Sequence, residues 1–192
     1  MNSRKPLNCR NLVLIVSTAL VIQVALSAER SSVVFEGKDT LVRPENYREW
    51  IFAGSTLGLD YNKEIDAKER SADLDFKNVY ITPEAYRSYS QTGEFPQRTV
   101  LVLEIATAET KKKSGLQGTF QKKIVGLSAA VKDRSRFETE WAYFDFTEGP
   151  GTFKETAQPL PKKSCYSCHR EKGEHDNVFT QFYPALRETS KK

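Results

Sequence analysis

The segment Thr99-Val100-Leu101-Val102-Leu103-Glu104-Ile105-Ala106 determines the fold class of this chain. It is the most apolar run after residue 28, and its Val, Leu and Ile residues are typical of strands. Because the apolar residues follow one another rather than alternate, the segment predicts a strand buried on both faces. Four further segments predict strands around it: Ile51 to Leu57, Asp75 to Ile81, Phe120 to Val131 and Trp141 to Phe146.

A few short helices are predicted beside these strands. Arg43 to Trp50 suits a short helix, and Thr82-Pro83-Glu84 begins another that ends at Gly93. Asp176-Asn177 is predicted to cap a final helix from Val178 to Tyr183. Since short loops separate the strands, the expected fold class is α+β, a predominantly antiparallel β-sheet with a few short helices.

The motif Cys165-Tyr166-Ser167-Cys168-His169 near the C-terminus indicates the attachment of one c-type haem. Two intervening residues allow both thiols to reach the vinyl groups on one edge of the porphyrin. The adjacent histidine is then delivered to the iron as the proximal ligand. We therefore predict that Cys165 and Cys168 bind the haem covalently and that His169 ligates the iron.

Other sites could be built from the same residues. A thioredoxin-like C-x-x-C would need a βαβ setting, whereas this motif follows Pro159-Leu160-Pro161. A zinc site could use Cys165, Cys168 and His175. The neighbours Cys168 and His169, however, cannot easily both ligate one tetrahedral ion. Haem is the interpretation that the spacing favours.

The N-terminus is typical of an export signal. Arg4, Lys5 and Arg10 precede an uncharged, mostly apolar run from Leu12 to Leu26, and cleavage is predicted after Ser27 or Ala28. This divides the chain into a signal peptide (1–27) and a single haem domain (28–192). An uncleaved membrane anchor is the alternative. Since c-type haem is attached outside the bacterial cytoplasm, we predict a periplasmic protein.

The charge balance limits the partners of the chain. Its formal net charge is +4, and the three basic residues of the predicted signal supply most of it. The small remaining charge argues against nucleic acid as a partner. The one basic run, Lys111-Lys112-Lys113, precedes Ser114-Gly115 and predicts a solvated hairpin tip. A docking patch for an acidic redox partner is the alternative.

The second axial position of the iron is predicted to be open or filled by water. Met1 is the only methionine, so a His/Met cytochrome is excluded once the signal is removed. His175 follows His169 by six residues, which span at most roughly 20 Å. We therefore expect His175 to be exposed to solvent, with ligation by His175 or by a lysine as alternatives.

Several motifs together resemble the cytochrome P-460 family and its sister branch, the β-sheet cytochromes c-prime (cytochrome c′-beta). They extend over nearly the whole chain after the signal: Asn46-Tyr47-Arg48-Glu49-Trp50, Val79-Tyr80-Ile81-Thr82-Pro83-Glu84-Ala85-Tyr86, Thr92-Gly93-Glu94-Phe95, Val131-Lys132-Asp133 with Arg136-Phe137, and Cys168-His169 with Phe182-Tyr183-Pro184. The resemblance implies an antiparallel β fold, a homodimer and a five-coordinate c haem in the periplasm.

Departures from the family pattern favour the c-prime-beta branch. Hydroxylamine-oxidising members carry a lysine bonded to the porphyrin, and Leu103 occupies that position here. Ser128 stands where a distal carboxylate is expected, and Lys77 stands where an arginine often occurs. Leu103 cannot form the cross-link, and Ser128 cannot act as a general base at neutral pH.

We therefore expect a cytochrome that binds a small gas such as nitric oxide or carbon monoxide, with no catalytic residues. A P-460 enzyme that oxidises hydroxylamine or nitric oxide, and an electron-transfer protein with a separate redox partner, are the alternatives. Leu103 is expected to face the iron from the distal side. The further distal-pocket candidates are Leu101, Ile105, Phe76, Lys77 and Ser128.

Overall fold

The computed structural model describes residues 33–59 and 74–187. The predicted signal peptide and the predicted surface loop from Asp60 to Asp73 lie outside the described residues. The strands in the described part are β1 (Phe35–Glu36), β2 (Thr40–Val42), β3 (Ile51–Leu57), β4 (Asp75–Ile81), β5 (Val100–Lys113), β6 (Leu116–Lys132), β7 (Trp141–Asp145), β8 (Thr147–Gly149), β9 (Thr152–Phe153) and β10 (Thr156–Ala157). The α-helices described are α1 (Pro83–Thr92), α2 (Tyr166–Lys172) and α3 (Pro184–Arg187).

A five-stranded antiparallel sheet dominates the fold. Its strands follow the chain in the order β3-β4-β5-β6-β7, so each strand pairs with its neighbour in sequence. β5 is the central strand, as expected for the most apolar segment. The predicted α+β class is confirmed, and β3 and β4 have the predicted bounds. A smaller sheet, β1-β2-β10, and the β8-β9 pair accompany it.

The sheet separates two apolar layers, because successive side chains of a strand point to opposite faces. On one face, Val100, Val102 and Phe144 pack with Leu41 of β2 and other buried residues. On the other face, Leu101 packs with residues of α1 and of the C-terminal segment. Helices and loops therefore cover both faces of β5, which explains its run of apolar residues.

β5 and β6 form a hairpin that extends beyond the rest of the sheet. Among the described residues, the β4–β5 pairing ends at Asp75 and Thr107, whereas β5 and β6 continue to the turn at Ser114-Gly115. Gly115 has φ +82°, a conformation that glycine adopts without the steric cost of a side chain. The basic run Lys111–Lys113 lies on the exposed strand just before this turn, so its predicted place at a hairpin tip is confirmed.

Two predicted helices are wrong in extent. In the segment from Arg43 to Trp50, only Tyr47–Glu49 forms a helical turn, of the 3-10 type. Asp176 and Asn177 have φ +46° and +61° and form a tight turn instead of a helix cap. The segment after the turn contains only the 3-10 turn Thr180–Phe182 before α3 begins at Pro184.

The C-terminal segment lies across one face of the sheet. The backbone N–H of Leu160 donates to the carbonyl of Tyr143 on β7. At the other edge, a Cβ placed on Gly54 of β3 would lie 3.1 Å from Pro184 Cδ, which shows how closely α3 approaches that strand. This covering segment contains the C-x-x-C-H motif. In the described part of the chain no helix is long and apolar enough to span a membrane.

Candidate haem-binding site

A cleft lies between the five-stranded sheet and the C-terminal segment. Its volume is about 1000 Å3 with the open mouth included, and apolar atoms dominate its walls. The sheet contributes Val79, Leu101, Leu103, Ser128, Ala130 and Tyr143. The C-terminal segment contributes Leu160, Ser164, Cys165, Cys168, His169, Asn177, Val178, Phe179 and Tyr183. The apolar walls are typical of a pocket for a largely apolar small molecule.

The register of the strands determines the sheet wall of the cleft. Val79 of β4 lies opposite Leu103 of β5, which in turn lies opposite Ser128 of β6. The neighbouring row on the same face places Leu101 beside Ala130, and Ala130 beside Tyr143 of β7. Small side chains on β6 leave space in front of the larger ones on β5.

The cleft contains some of the predicted distal residues and not others. Leu103, Leu101 and Ser128 line it, whereas Phe76, Lys77 and Ile105 do not. Phe76 is separated from Val79 by an odd number of positions, so alternation directs it to the opposite face of the sheet. Lys77 and Ile105 pair with each other one row farther along the strands. Val79 takes the place beside Leu103 that we expected Phe76 or Lys77 to occupy.

The start of α2 places both cysteines at the edge of the cleft. Cys165 precedes the first residue of the helix, and its carbonyl accepts the backbone N–H of His169 at 3.0 Å. One helical turn therefore puts Cys165, Cys168 and His169 on the side of α2 that lines the cleft. Both thiols are partly exposed and are not joined in a disulfide. Burial, with the nearby charge of Asp145, raises the pKa of the Cys165 thiol.

His169 is held in one orientation by three neighbours. Its Nδ1 lies 2.9 Å from the carbonyl oxygen of Asn177, and because a carbonyl can only accept, Nδ1 carries the proton. Its ring packs against Tyr143 and Phe179, with centroids 4.4 and 4.5 Å away. Desolvation lowers the pKa of His169, although the Asn177 hydrogen bond acts in the opposite direction. The imidazole is therefore neutral at neutral pH, and its Nε2 lone pair is available to a metal.

These features fit a covalently bound haem. Two thiols at the cleft edge, one oriented imidazole and apolar walls are the groups that such a cofactor requires. The model of the family described as Cytochrome P460 matches residues 44–180. The chain belongs to the cytochrome P460 family. No curated protein matches the chain.

Membership of the cytochrome P460 family implies a haem cofactor, and the matched range includes the lining residues of the cleft named above except Tyr183. The zinc alternative finds no support in the described residues. They contain no group of three or more His, Cys, Asp or Glu side chains that could hold a metal ion. The ring of His175, the third ligand that a zinc site would need, packs against Tyr89 and Phe95, with centroids 5.8 and 6.0 Å away.

The expected solvent exposure of His175 is wrong. Its side chain is partly buried, and its Nε2 is enclosed without a hydrogen-bond partner in the described part of the chain. Tyr89 and Phe95, which stack at 4.1 Å, form the surface on which the ring lies. His175 does not line the cleft. Its packing among aromatic rings explains its position without iron ligation.

A polar cluster lies on the other side of β5, directly behind Leu103. The Glu104 carboxylate is buried and accepts hydrogen bonds from the Tyr47 hydroxyl and the Arg48 guanidinium. Asn78 donates to the second carboxylate oxygen from 3.3 Å. Burial and the Glu104 interaction raise the pKa of Tyr47. The Asn46–Trp50 motif thus neutralises a buried carboxylate in the strand that forms the cleft wall.

Sequence reasoning missed the residues that orient His169. Tyr143 and Phe179 flank its ring, and Asn177 supplies the carbonyl that accepts the hydrogen bond from its Nδ1–H. The Asp-Asn dipeptide was a usable signal for this turn, because these residues tolerate left-handed backbone angles. The aromatic contacts had no such local signal, since Tyr143 is 26 positions from His169 in the sequence.

Proposed function

We propose that this protein is a periplasmic mono-haem c-type cytochrome whose five-coordinate iron binds a small gas such as nitric oxide or carbon monoxide. Cys165 and Cys168 would hold the haem by thioether bonds, and His169 would ligate the iron through Nε2. The bound iron supplies the site for the gas. One observation carries the proposal. The sheet wall of the cleft, which lies opposite the segment that contains His169, presents the aliphatic side chain of Leu103.

The sheet wall favours an uncharged ligand. Its described lining residues include no histidine, methionine or lysine that would serve as a second protein ligand to the iron. The described residues of this wall carry two hydroxyl groups. That of Tyr143 donates to the Asn177 carbonyl at 3.3 Å, so the hydroxyl left to form a hydrogen bond with a ligand is that of Ser128. An anion entering this cleft would lose its hydration and gain few hydrogen bonds, whereas nitric oxide or carbon monoxide loses little.

Hydroxylamine oxidation is the second candidate because the family resemblance implies it for members with a cross-linked lysine. The residue in the corresponding position is Leu103, and Ser128 beside it cannot take a proton from a substrate at neutral pH. In this proposal the chain's own residues would bind and orient the haem. None of those that line the sheet wall is suited to move a proton.

The proposal is tested by the absorption spectrum of the reduced protein with and without carbon monoxide. A five-coordinate high-spin spectrum that carbon monoxide converts to a six-coordinate one is expected. A six-coordinate low-spin spectrum that carbon monoxide leaves unchanged would refute gas binding and favour the electron-transfer alternative. A red-shifted ferrous Soret band would indicate a cross-linked porphyrin and favour the enzyme.

A further inference from the structure

The carbonyl group that accepts the hydrogen bond from His169 Nδ1–H belongs to a tight turn. His175-Asp176-Asn177-Val178 is closed by hydrogen bonds in both directions between His175 and Val178, at 2.8 and 3.3 Å. The two central residues have φ +46° and +61°, which is the backbone of a type I′ turn. Aspartate and asparagine adopt these angles more readily than other non-glycine residues, but at a cost that glycine would not have, so support from outside stabilises the turn in this conformation.

That support comes from the side chain of Asp176. Its Oδ2 lies 2.7 Å from Nζ of Lys132 on β6, and its Oδ1 accepts from Trp141 Nε1 on β7 at 3.0 Å. Nζ of Lys132 also donates to the carbonyl of Phe95 at 2.8 Å. Lys132 and Trp141 are largely buried and lie on adjacent strands. Strands β6 and β7 therefore both hold the Asp176 carboxylate, and this fixes the turn that contains Asp176.

The turn is also pressed against the helix that carries His169. The N–H of Gly173, just after α2, donates to the carbonyl of His169 at 2.9 Å. A Cβ at Gly173 would lie 2.9 Å from the carbonyl carbon of Asn177 and 2.6 Å from the carbonyl oxygen of His169. Glycine is therefore required for this approach, which brings the Asn177 carbonyl within hydrogen-bond distance of His169 Nδ1.

We propose that Lys132 and Asp176 are positioning residues for the proximal histidine: their ion pair fixes the turn whose Asn177 carbonyl orients His169. This inference rests on the proposed function, because it concerns the bond between His169 and a haem iron. Hydrogen bonding at Nδ1 makes the imidazole a stronger donor through Nε2 and fixes its tautomer. A stronger donor stabilises ferric iron and strengthens the iron–histidine bond. The ion pair therefore lowers the reduction potential of the haem.

Lys132→Met tests this inference in the haem-loaded protein. Methionine retains the length and most of the apolar contacts of lysine but leaves Asp176 without its cation. The iron–histidine stretching frequency in the resonance Raman spectrum of the ferrous protein should fall. The reduction potential measured by spectroelectrochemistry should rise. Both readouts report on the bond to His169, which a purely structural role of the ion pair would leave unchanged.

A matched control and a second route are available in the same chain. Lys162 forms a 2.8 Å ion pair with Glu138 close in sequence to the haem-binding motif, but both side chains are exposed to solvent. Lys162→Met should therefore leave both readouts at their wild-type values. Gly173→Ala keeps the Lys132–Asp176 pair but adds a Cβ that meets both the His169 carbonyl and the Asn177 peptide, so it should shift both readouts in the same direction as Lys132→Met.

If Lys132→Met does not fold, Asp176→Asn replaces it, since asparagine tolerates the same backbone angles and has nearly the same shape. Wild-type stretching frequency and potential in the folded variants, with only a loss of thermal stability, would overturn the inference. Failure of the proposed function is seen separately in the wild type, as a six-coordinate spectrum that carbon monoxide does not change. Even then, the reduction potential still reports whether the ion pair acts on His169.

Discussion

Leu103 of β5 and Ser128 of β6 are paired across the sheet, and both line the haem-binding cleft. The pairing places an aliphatic and a small polar side chain side by side on one wall. The P-460 enzymes that the sequence resembles are expected to have a lysine and a carboxylate at these positions. The two differences therefore alter one contiguous patch, which is the part of the cleft wall nearest to a bound gas in our proposal.

Shortening Leu103 should open this patch. Leu103→Ala removes three carbon atoms from the wall, so carbon monoxide should associate several-fold faster with the reduced protein. Flash photolysis measures the rate. The matched control is Leu116→Ala, a similar change at the exposed end of the hairpin, where the side chain is 73% exposed. Equal association rates in both variants and the wild type would show that Leu103 does not border the ligand site.

Attachment of the haem should involve only the two cysteines. Mass spectrometry of a tryptic digest should find the haem on the peptide that contains Cys165 and Cys168, with no lysine linked to the porphyrin. Turnover of hydroxylamine should be negligible in the same preparation. Cys165→Ser with Cys168→Ser should abolish the covalent link. A second haem–peptide bond, or rapid hydroxylamine oxidation, would favour the enzyme over the gas-binding cytochrome.

The sheet could be predicted from the sequence because its strands carry local signals. The apolar run at Leu101–Ile105 and the bounds of β3 and β4 follow from composition and flanking turn residues. The C-x-x-C-H spacing likewise predicts a haem site from residues that are close in sequence. Alternation along β5 predicts that Leu101 and Leu103 lie on the same face, and both line the cleft. The sequence of a single strand is sufficient for this prediction.

The relations between distant segments could not be predicted in the same way. The sequence suggests Phe76 as a neighbour of Leu103, whereas Val79 lies there. The register of β4 against β5 determines this neighbour, and the sequence of one strand does not determine the register. The prediction that His175 is exposed fails for the same reason. Tyr89 and Phe95, which form the surface for its ring, are distant in sequence, so the residues around His175 give no sign of them. The orientation of His169 depends on three segments that meet only in the folded chain.

His175 should be dispensable for the iron. Because its ring packs against Tyr89 and Phe95 and does not line the cleft, His175→Gln should leave the spectra of the oxidised and reduced protein unchanged. Loss of the ring contacts should lower the free energy of unfolding by about 1 kcal/mol, measured by urea denaturation. Conversion of a six-coordinate wild type to a five-coordinate variant would instead identify His175 as the second ligand.

The buried Glu104 cluster should make the protein sensitive to alkali. Burial and the Glu104 carboxylate raise the pKa of Tyr47 above the ordinary value of about 10, and burial and Glu104 raise that of Tyr80 as well. Above pH about 10 the unfolded chain therefore releases tyrosine protons that the folded chain still binds. Above pH about 10 the free energy of unfolding therefore decreases as the pH rises. Well below pH about 10 both tyrosines are protonated in the folded and the unfolded chain, so they do not make the free energy of unfolding depend on pH.

Tyr47→Phe tests the source of this pH dependence. The variant loses the hydrogen bond to Glu104, so at neutral pH its free energy of unfolding should be lower by about 1 to 3 kcal/mol. Phenylalanine does not titrate, so between pH 10 and 11 the variant should lose stability less steeply than the wild type. Urea denaturation at a series of pH values measures both effects. Parallel curves for the two proteins would show that Tyr47 is not the group responsible.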